Sequence, residues 1–387
     1  MYVKAPKSTE NDIICHTCQL TTYYYYLNIK EKPYVRSLIM LYPMKFVPVY
    51  KDYIWGGRYF EKLGRQLPDG KVAESWEVSC HKNGVNIVAN GELKGKTLLD
   101  VIAMDSKSIL GTRFNSDCKE VPLLIKLIDA NDRLSVQVHP DDSYAAVFEG
   151  GLGKNEMWYI VDAKPGAKLV AGLKPGVTKE AFELATKENR IEECLNEIEV
   201  KRGDVIFIPA GLIHSIGEGI VIVEIQQISD TTYRVFDYNR VYGNGVERPL
   251  QIDKALDVID FKPSNRSEKY KGITVKHSCA LTKTYMLANR YFSCERYDAN
   301  GEFSEATDGS KFYIYIFLEG SGSIKSGEIS LTFNAGETIF IPAALGEYTF
   351  DGCFTALKTY VPDLINDIVE KMRAAGCSDV DIFSVLK

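Results

Sequence analysis

Lys201-Arg-Gly-Asp-Val-Ile-Phe-Ile-Pro-Ala-Gly-Leu-Ile-His214 decides the fold, because the chain writes it twice. The echo is Asn334-Ala-Gly-Glu-Thr-Ile-Phe-Ile-Pro-Ala-Ala-Leu-Gly346, again a Gly and an acid followed by a short strand that ends in Ile-Pro-Ala. Upstream, Trp158-Tyr-Ile-Val-Asp-Ala-Lys-Pro-Gly166 has a partner in Ile314-Tyr-Ile-Phe-Leu-Glu-Gly-Ser-Gly322. The Gly166 to Gly203 interval is 37 residues against 14 from Gly322 to Gly336, and a helix near 178–198 accounts for the surplus. Internal repetition of this kind reads as two related β units, one of them interrupted by a helix.

Working outward, short apolar runs recur between Gly, Asn, Asp and Pro at the spacing of an all-β sandwich or barrel. They include Ala73 to Ser79, Val85 to Val88, Leu134 to Val138, Met157 to Val161, Val205 to Ile208, Ile220 to Ile225 and Phe312 to Leu318. Helical spacing is clearest from Thr178 to Ile198, where Ala181, Leu184, Ala185, Ile191, Leu195 and Ile198 are apolar among charges. Leu98 to Ser106 and Ile252 to Val258 are shorter helix candidates. The expected organisation is a first β domain over 44–260, a polar linker over 261–271 and a second β domain over 272–387. Residues 1–43 hold 7 of the 23 Tyr and none of the 30 Gly, and they read as an extension outside the fold, with Met40 and Met44 both available as starts. Within it, Cys15-His16-Thr17-Cys18 has the form of a metal half-site, with no second pair in reach.

Composition bounds the function. The 387 residues are 45% apolar and 25% charged, an ordinary globular balance that excludes a disordered or fibrous chain. The net charge of −6 argues against a nucleic-acid surface and against attraction to anionic lipid. Nine scattered cysteines do not space a disulfide scaffold, so a reducing cytoplasm is expected. No apolar run approaches the length of a membrane span, and no signal peptide is evident.

The Gly-Asp-x4-Pro-Ala-Gly-x2-His pattern over 203–214 resembles the second motif of cupins, small double-sheet β barrels that hold a metal inside. A strand delivers the chain to a tight Pro-Ala-Gly turn, and the returning strand aims His214 inward. The C-terminal copy has Gly346 near that place and no His, so only the first unit can bind metal in this way. Leu134-Ser-Val-Gln-Val-His-Pro-Asp-Asp142 puts Gln137 and His139 on one face of a strand and Val136 and Val138 on the other. Lys154 and Glu156 open the next strand on a common side. Gln137, His139, Glu156 and His214 form a four-ligand N/O set without thiolate, suited to Zn2+. Lys154 and Glu156 also fit a plain exposed ion pair. His16, His81 and His277 read as core or surface residues. Further on, the loop from Glu224 to Arg240 is dense in Asp, Thr, Tyr and Arg. Either it is a polar loop capped by its own hydrogen bonds, or Arg234, positioned by Asp230, projects over the mouth as a cation for a substrate oxygen or phosphate.

Taken together, Ile54-Trp-Gly-Gly57, Ala73-Glu-Ser-Trp-Glu77, the Gln137/His139 block, Gly153-Lys-Asn-Glu-Met-Trp-Tyr159, Ile208-Pro-Ala-Gly-Leu-Ile-His214 and Ser229-Asp-Thr-Thr-Tyr-Arg234 resemble the type I mannose-6-phosphate isomerases of the shorter bacterial form. The resemblance runs from Met44 to the C-terminus. It implies a mainly β protein of two cupin-like jelly-roll barrels or sandwiches with a helical insertion. It also implies one Zn2+ per chain on Gln137, His139, Glu156 and His214, with Lys154, Asp230 and Arg234 catalytic. The implied reaction interconverts mannose 6-phosphate and fructose 6-phosphate through a cis-enediol. The eukaryotic-type enzymes carry Tyr two residues after the last His ligand, whereas this chain has Ile216, so the pocket differs there. The implied partner is a small sugar phosphate, which in an acidic chain requires Lys154, Arg234 and Arg58 or Arg240 to gather at one mouth. A cupin oxygenase with Fe(II) and a non-catalytic sugar-binding module are the other readings of such a site.

Overall fold

The computed structural model describes residues 40–114, 118–243, 245–262 and 268–387. Cys15, His16 and Cys18 lie outside them. Tyr42, expected outside the fold, is 2% exposed, and its hydroxyl donates to the Asn90 carbonyl and accepts from Leu93 N–H. Among the described residues no helix is long and apolar enough to cross a membrane.

The first half of the chain forms β1 (Phe46–Val47), β2 (Val49–Lys51), β3 (Glu74–Val78), β4 (Ile87–Val88), β5 (Leu123–Ala130), β6 (Val136–Val138), β7 (Glu156–Ala163), β8 (Lys168–Leu173), β9 (Leu195–Glu199), β10 (Val205–Ile208), β11 (His214–Ser215), β12 (Ile220–Gln227), β13 (Tyr233–Phe236) and β14 (Lys269–Tyr270). A seven-stranded sheet in the order β14-β10-β7-β12-β5-β3-β2 faces a five-stranded sheet in the order β13-β6-β11-β8-β9, while β1 and β4 pair separately. Both large sheets keep free edges, so the unit is sandwich-like and does not close into a barrel. Ile128, Ile160, Ile206 and Ile222 from the larger sheet meet Leu169 and Ala171 from the smaller in one core. Toward one end of that interior the inward positions of the larger sheet change from isoleucine to Glu156, Lys126 and Glu224. The outer face of the smaller sheet packs Val136, Val138 and Val235 against Phe182 and Ala255, which lie on the helices Lys179–Lys187 and Ile252–Val258.

The second half forms β15 (Ile273–Lys276), β16 (Leu281–Ala288), β17 (Ser293–Asn300), β18 (Phe303–Ala306), β19 (Tyr313–Ser326), β20 (Ile329–Asn334), β21 (Thr338–Ile341) and β22 (Glu347–Tyr360), an eight-stranded antiparallel sheet. This sheet folds over on itself. The first part of β19 pairs with β21 and its last part with β20, while β22 pairs first with β18 and then with β17. Gly320 sits at the bend of β19 with φ +74, where a Cβ would stand 2.0 Å from the Cys353 carbonyl oxygen. Phe317, Phe333, Phe350 and Phe354 fill the fold.

Two expectations need correction. The helix from Thr178 to Ile198 is only Lys179–Lys187, capped by the Thr178 hydroxyl accepting from Ala181 N–H at 3.2 Å. Asn189 takes a left-handed conformation, φ 58, which ends it. Leu195 and Ile198 fit the helical spacing, but they pair with Leu173 and Leu169 of β8 as strand residues. The repeat is also offset by one residue. Ile208 opposes Glu156 and Ile341 opposes Tyr313, so on a common Ile-Pro-Ala frame Trp158 corresponds to Tyr315, not to Ile314.

A buried ion pair joins the two halves. Arg65 grips both oxygens of Glu77 at 2.7 and 2.8 Å and also donates to the Gly336 carbonyl, and Thr338 Oγ1 donates to Glu77 at 3.3 Å. Glu77→Ala strands the Arg65 charge and is expected to lower unfolding free energy by about 3–5 kcal/mol in urea titrations. A loss no larger than the ~0.5 kcal/mol of an ordinary surface substitution contradicts that role.

Candidate metal centre

The smaller sheet carries one row of opposed residues: Arg234 on β13, Gln137 on β6, His214 on β11 and Ala171 on β8. Opposed residues of antiparallel strands share a face. Val136 and Val138 take the helix-covered face, which leaves Arg234, Gln137 and His214 facing inward. The turn that launches His214 is fixed by the site's own backbone. Gly211 has φ +85, its N–H donates to the His139 carbonyl at 2.9 Å, and Ala210 N–H donates to Asn155 Oδ1 at 3.0 Å. Asn155 is held in turn by Gln227 Oε1, which accepts its N–H at 2.9 Å and its side-chain amide at 2.8 Å. The neighbouring Glu156, first residue of β7, therefore enters the interior from the opposite sheet in a defined position.

His139, Glu156 and His214 are fully buried and each offers one donor atom within 4.8 Å of the others. Among the described residues this is the only cluster of His, Cys, Asp and Glu so placed. His139 Nδ1 lies 2.9 Å from the Thr231 carbonyl and His214 Nδ1 2.8 Å from the Leu212 carbonyl. A carbonyl only accepts, so both Nδ1 atoms carry the proton and both Nε2 atoms present a lone pair to the interior. His139 Nε2 and both Glu156 oxygens are buried without a directed hydrogen bond. His139 Nε2 stands 3.4 Å and His214 Nε2 3.5 Å from the carboxylate. Gln137 closes the group, its Nε2 3.3 Å from His214 Nε2, and a half-turn of the amide presents Oε1 there instead.

The protonation states suit a cation. Burial, and then the charge of Lys154, push His139 down to about 3, and burial also lowers His214. Burial works to raise Glu156, but the Lys154 charge outweighs it and holds the carboxyl well below its usual range. Two neutral imidazoles, one carboxylate and an amide are what a divalent ion requires of its ligands. The orphaned donors and this donor set fit a metal.

Lys154, 4% exposed, places Nζ 2.9 Å from Glu156 Oε2, so the expected pair is a buried one at the centre and not a surface pair. Arg234 lies in the Gln137 row, but Asp230 does not position it. Arg234 Nε donates to Ser135 Oγ at 3.3 Å and its Nη1 to the Pro249 carbonyl at 3.2 Å, whereas Asp230 accepts from Asn83 at 2.9 Å. Pairing of β13 with β6 carries Arg234 to the smaller sheet and leaves Asp230 beside the loop of His81 and Asn83. Among the described residues no carboxylate forms an ion pair with Arg234. Burial would raise Asp230, yet Lys126, Asn83 and Lys154 together hold it below the usual range. Arg58 and Arg240 do not join the mouth: Arg58 pairs with Glu61, and Arg240 with Asp237.

The sequence reading missed Lys126, Glu224 and Glu74. One row of the larger sheet runs Ile206, Trp158, Glu224, Lys126, Trp76. Lys126 Nζ is 3.1 Å from Glu224 and 3.7 Å from Glu74, and the indoles of Trp158 and Trp76 donate to Glu224 and Glu74 at 3.1 and 2.7 Å. Two carboxylates share one ammonium close to a third carboxylate. Burial, and then Glu156, raise Glu224, while Lys126, despite burial, is held protonated by Glu74 and Glu224. The signal was available: Lys126 is the one charge in the apolar run Val121 to Ile128, and Glu224 the one charge in Ile220–Gln227.

A two-sheet β sandwich with an interior His, His, Glu and Gln set that fits a metal is of the cupin class. Residues 44–168 match the family model described as phosphomannose isomerase type I, catalytic domain, and residues 282–361 that of mannose-6-phosphate isomerase, cupin domain. The mannose-6-phosphate isomerase of Bacillus subtilis is 36% identical over 316 residues, covering 80% of this chain and 96% of that one. That of Streptococcus mutans is 35% identical over 301 residues, 77% and 92% of the two chains. The crystal structure of a mannose 6-phosphate isomerase from Bacillus subtilis superposes with TM-score 0.76 at 33% identity, over 82% of this chain and 99% of that chain. The chain belongs to the type I phosphomannose isomerase family.

His139 makes a pH prediction. Its folded pKa lies below the unfolded value of about 6.5, so its contribution is complete above that pH and declines as pH falls toward 3. With chelator present, the stability of the parent chain should fall more steeply than that of His139→Gln between pH 6 and 4, by about 1.4 kcal/mol per pH unit. Coincident slopes contradict the buried neutral imidazole.

Proposed function

We propose that this chain is a zinc-dependent aldose–ketose isomerase that interconverts mannose 6-phosphate and fructose 6-phosphate through a cis-enediol. The observation that carries the reading is the interior His139, Glu156 and His214 set with Arg234 in the row of Gln137 and His214, in a chain of this family. Gln137, His139, Glu156 and His214 would hold one Zn2+, for which an N/O set without thiolate is suitable. Zn2+ supplies Lewis acidity toward an oxygen at C1 or C2 of the open sugar.

The chain's own residues do the rest. Isomerisation moves a proton from C2 to C1 and a second proton from O2 to O1. Glu224, its proton affinity raised by burial and then by Glu156, receives the C2 proton and returns it at C1. Lys126 holds that carboxyl in place. Arg234 offers donors to the oxygen that becomes negative, and Lys154 adds fixed positive charge beside Glu156. Asp230, ionised, faces Lys126 and Lys154 and sets the field at the mouth. The described cysteines are all free, which fits the reducing cytoplasm.

A coupled assay tests the reading on metal-free and Zn-reconstituted protein with mannose 6-phosphate, glucose 6-phosphate and free mannose. Turnover of mannose 6-phosphate that depends on zinc is expected, and its absence contradicts the proposal. Arg234→Ala should lower kcat by about 10²–10³-fold with metal content unchanged. Glu224→Gln should lower kcat by about 10²–10⁴-fold, and normal turnover in that variant removes Glu224 as the proton carrier.

A further inference from the structure

The second sandwich lacks the metal ligands, yet its interior is not simply apolar. On the common frame, the row Trp158, Glu224, Lys126, Trp76 of the first sandwich corresponds to Tyr315, Lys358, Glu295, Tyr285 of the second. The plan of aromatic, charge, opposite charge, aromatic is kept, and the two charges have changed places. The position of Glu156 is taken by Tyr313.

Around this row lies a cavity of about 570 Å3, in the size range of small-molecule sites. Four lysines, 276, 283, 358 and 371, line it against two glutamates, 295 and 305. Glu305 is shared by Lys283 and Lys358, so that pair of ammonium groups exceeds its carboxylate by one charge. Glu295 accepts instead from the Tyr360 hydroxyl. Lys371 reaches in from the helix Glu370–Ala374, its side chain 52% exposed and its Nζ 3.7 Å from Asp367, a carboxylate already shared with Arg113 and Lys311. The Tyr285 hydroxyl has no hydrogen-bond partner among the described residues, and the rings of Tyr285, Tyr297 and Tyr313 form walls. Lys358, 3.8 Å over the Tyr313 ring, and Lys283, 4.8 Å over the Tyr297 ring, share the one carboxylate of Glu305 and leave a cation in excess in a chain of net charge −6. Flexible ammonium groups suit a phosphate, and flat aromatic walls suit the C–H face of a polyol.

We propose that the second sandwich contains a binding site for a small phosphate monoester of a polyhydroxylated compound, separate from the metal centre. The phosphate meets Lys283, Lys358 and Lys371, and the polyol lies along Tyr285.

Calorimetric titration of the zinc-loaded full chain with inorganic phosphate tests this, alongside Lys283→Gln and Lys371→Ala. Lys371 is half exposed, so its replacement keeps the test valid should Lys283→Gln fail to fold. Losing one charge-assisted contact should weaken one phosphate-binding event about tenfold in at least one variant. Isomerase kcat and KM without added phosphate should stay within about twofold of the parent. Titrations identical in the parent and both variants overturn the site, as does a weakened event that Arg234→Ala alone removes. Repeating the titration with glucose 6-phosphate separates the two sources of the oxyanion. Tighter binding than inorganic phosphate at the lysine-dependent event identifies the ester, whereas no gain assigns the site to free phosphate and overturns the polyol part.

Discussion

A carboxylate with no solvent exposure, set between two imidazoles and one ammonium, is the constraint on which the first sandwich depends. Burying Glu156 is costly unless its charge is matched. Lys154 supplies part of that match at 2.9 Å, while His139 and His214, both neutral, supply none of their own and aim lone pairs at the same space. The arrangement leaves His139 Nε2 and both Glu156 oxygens without a hydrogen-bond partner, a donor set that fits a divalent cation. Much of the surrounding structure keeps it in register: the Gly211 turn bonds to His139, Asn155 is clamped by Gln227, and Gln227 donates to Asp142 at 3.0 Å.

How much of this the sequence disclosed follows from the reach of each signal. Gln137 and His139 were legible because a two-residue spacing fixes the face of a strand, and His214 because a Pro-Ala-Gly turn leaves the chain few directions. Thr178 to Ile198 misled because Leu195 and Ile198 fit two periodicities, and only their pairing with β8 decides between them. The link from Asp230 to Arg234 failed for a related reason. Residues four apart in a loop share no fixed geometry, and here they are taken by different neighbours, Asn83 and Ser135. Lys126, Glu224 and Glu74 come from three strands far apart in sequence. No local pattern joins them, although Lys126 and Glu224 each interrupt an apolar run, Val121 to Ile128 and Ile220 to Ile225.

The two sandwiches show one frame put to two uses. In both, an aromatic residue flanks each end of a charged pair set across neighbouring strands, at the same step from the Ile-Pro-Ala turn. In the first, the next inward position is Glu156, a carboxylate set among donors that fit a metal ion. In the second it is Tyr313, which cannot serve as a neutral-pH ligand while burial and nearby Glu305 raise its hydroxyl. In the adjacent row Lys358 and Glu295 stand where Glu224 and Lys126 stand in the first, so the pair is kept with its charges exchanged. The repeat visible in the sequence thus records shared backbone geometry, while the inward side chains set the chemistry separately in each half.

The central claim is that the four inward groups of the first sandwich share one ion. Anomalous diffraction at the zinc edge, on crystals of the full chain grown with Zn2+, tests it most directly. The account predicts one strong peak per chain, bounded by His139 Nε2, His214 Nε2, a Glu156 oxygen and Gln137 Oε1, with both Nδ1 atoms still on their carbonyls. A peak bound elsewhere, or an interior site that stays empty while Lys154 remains on Glu156, contradicts it.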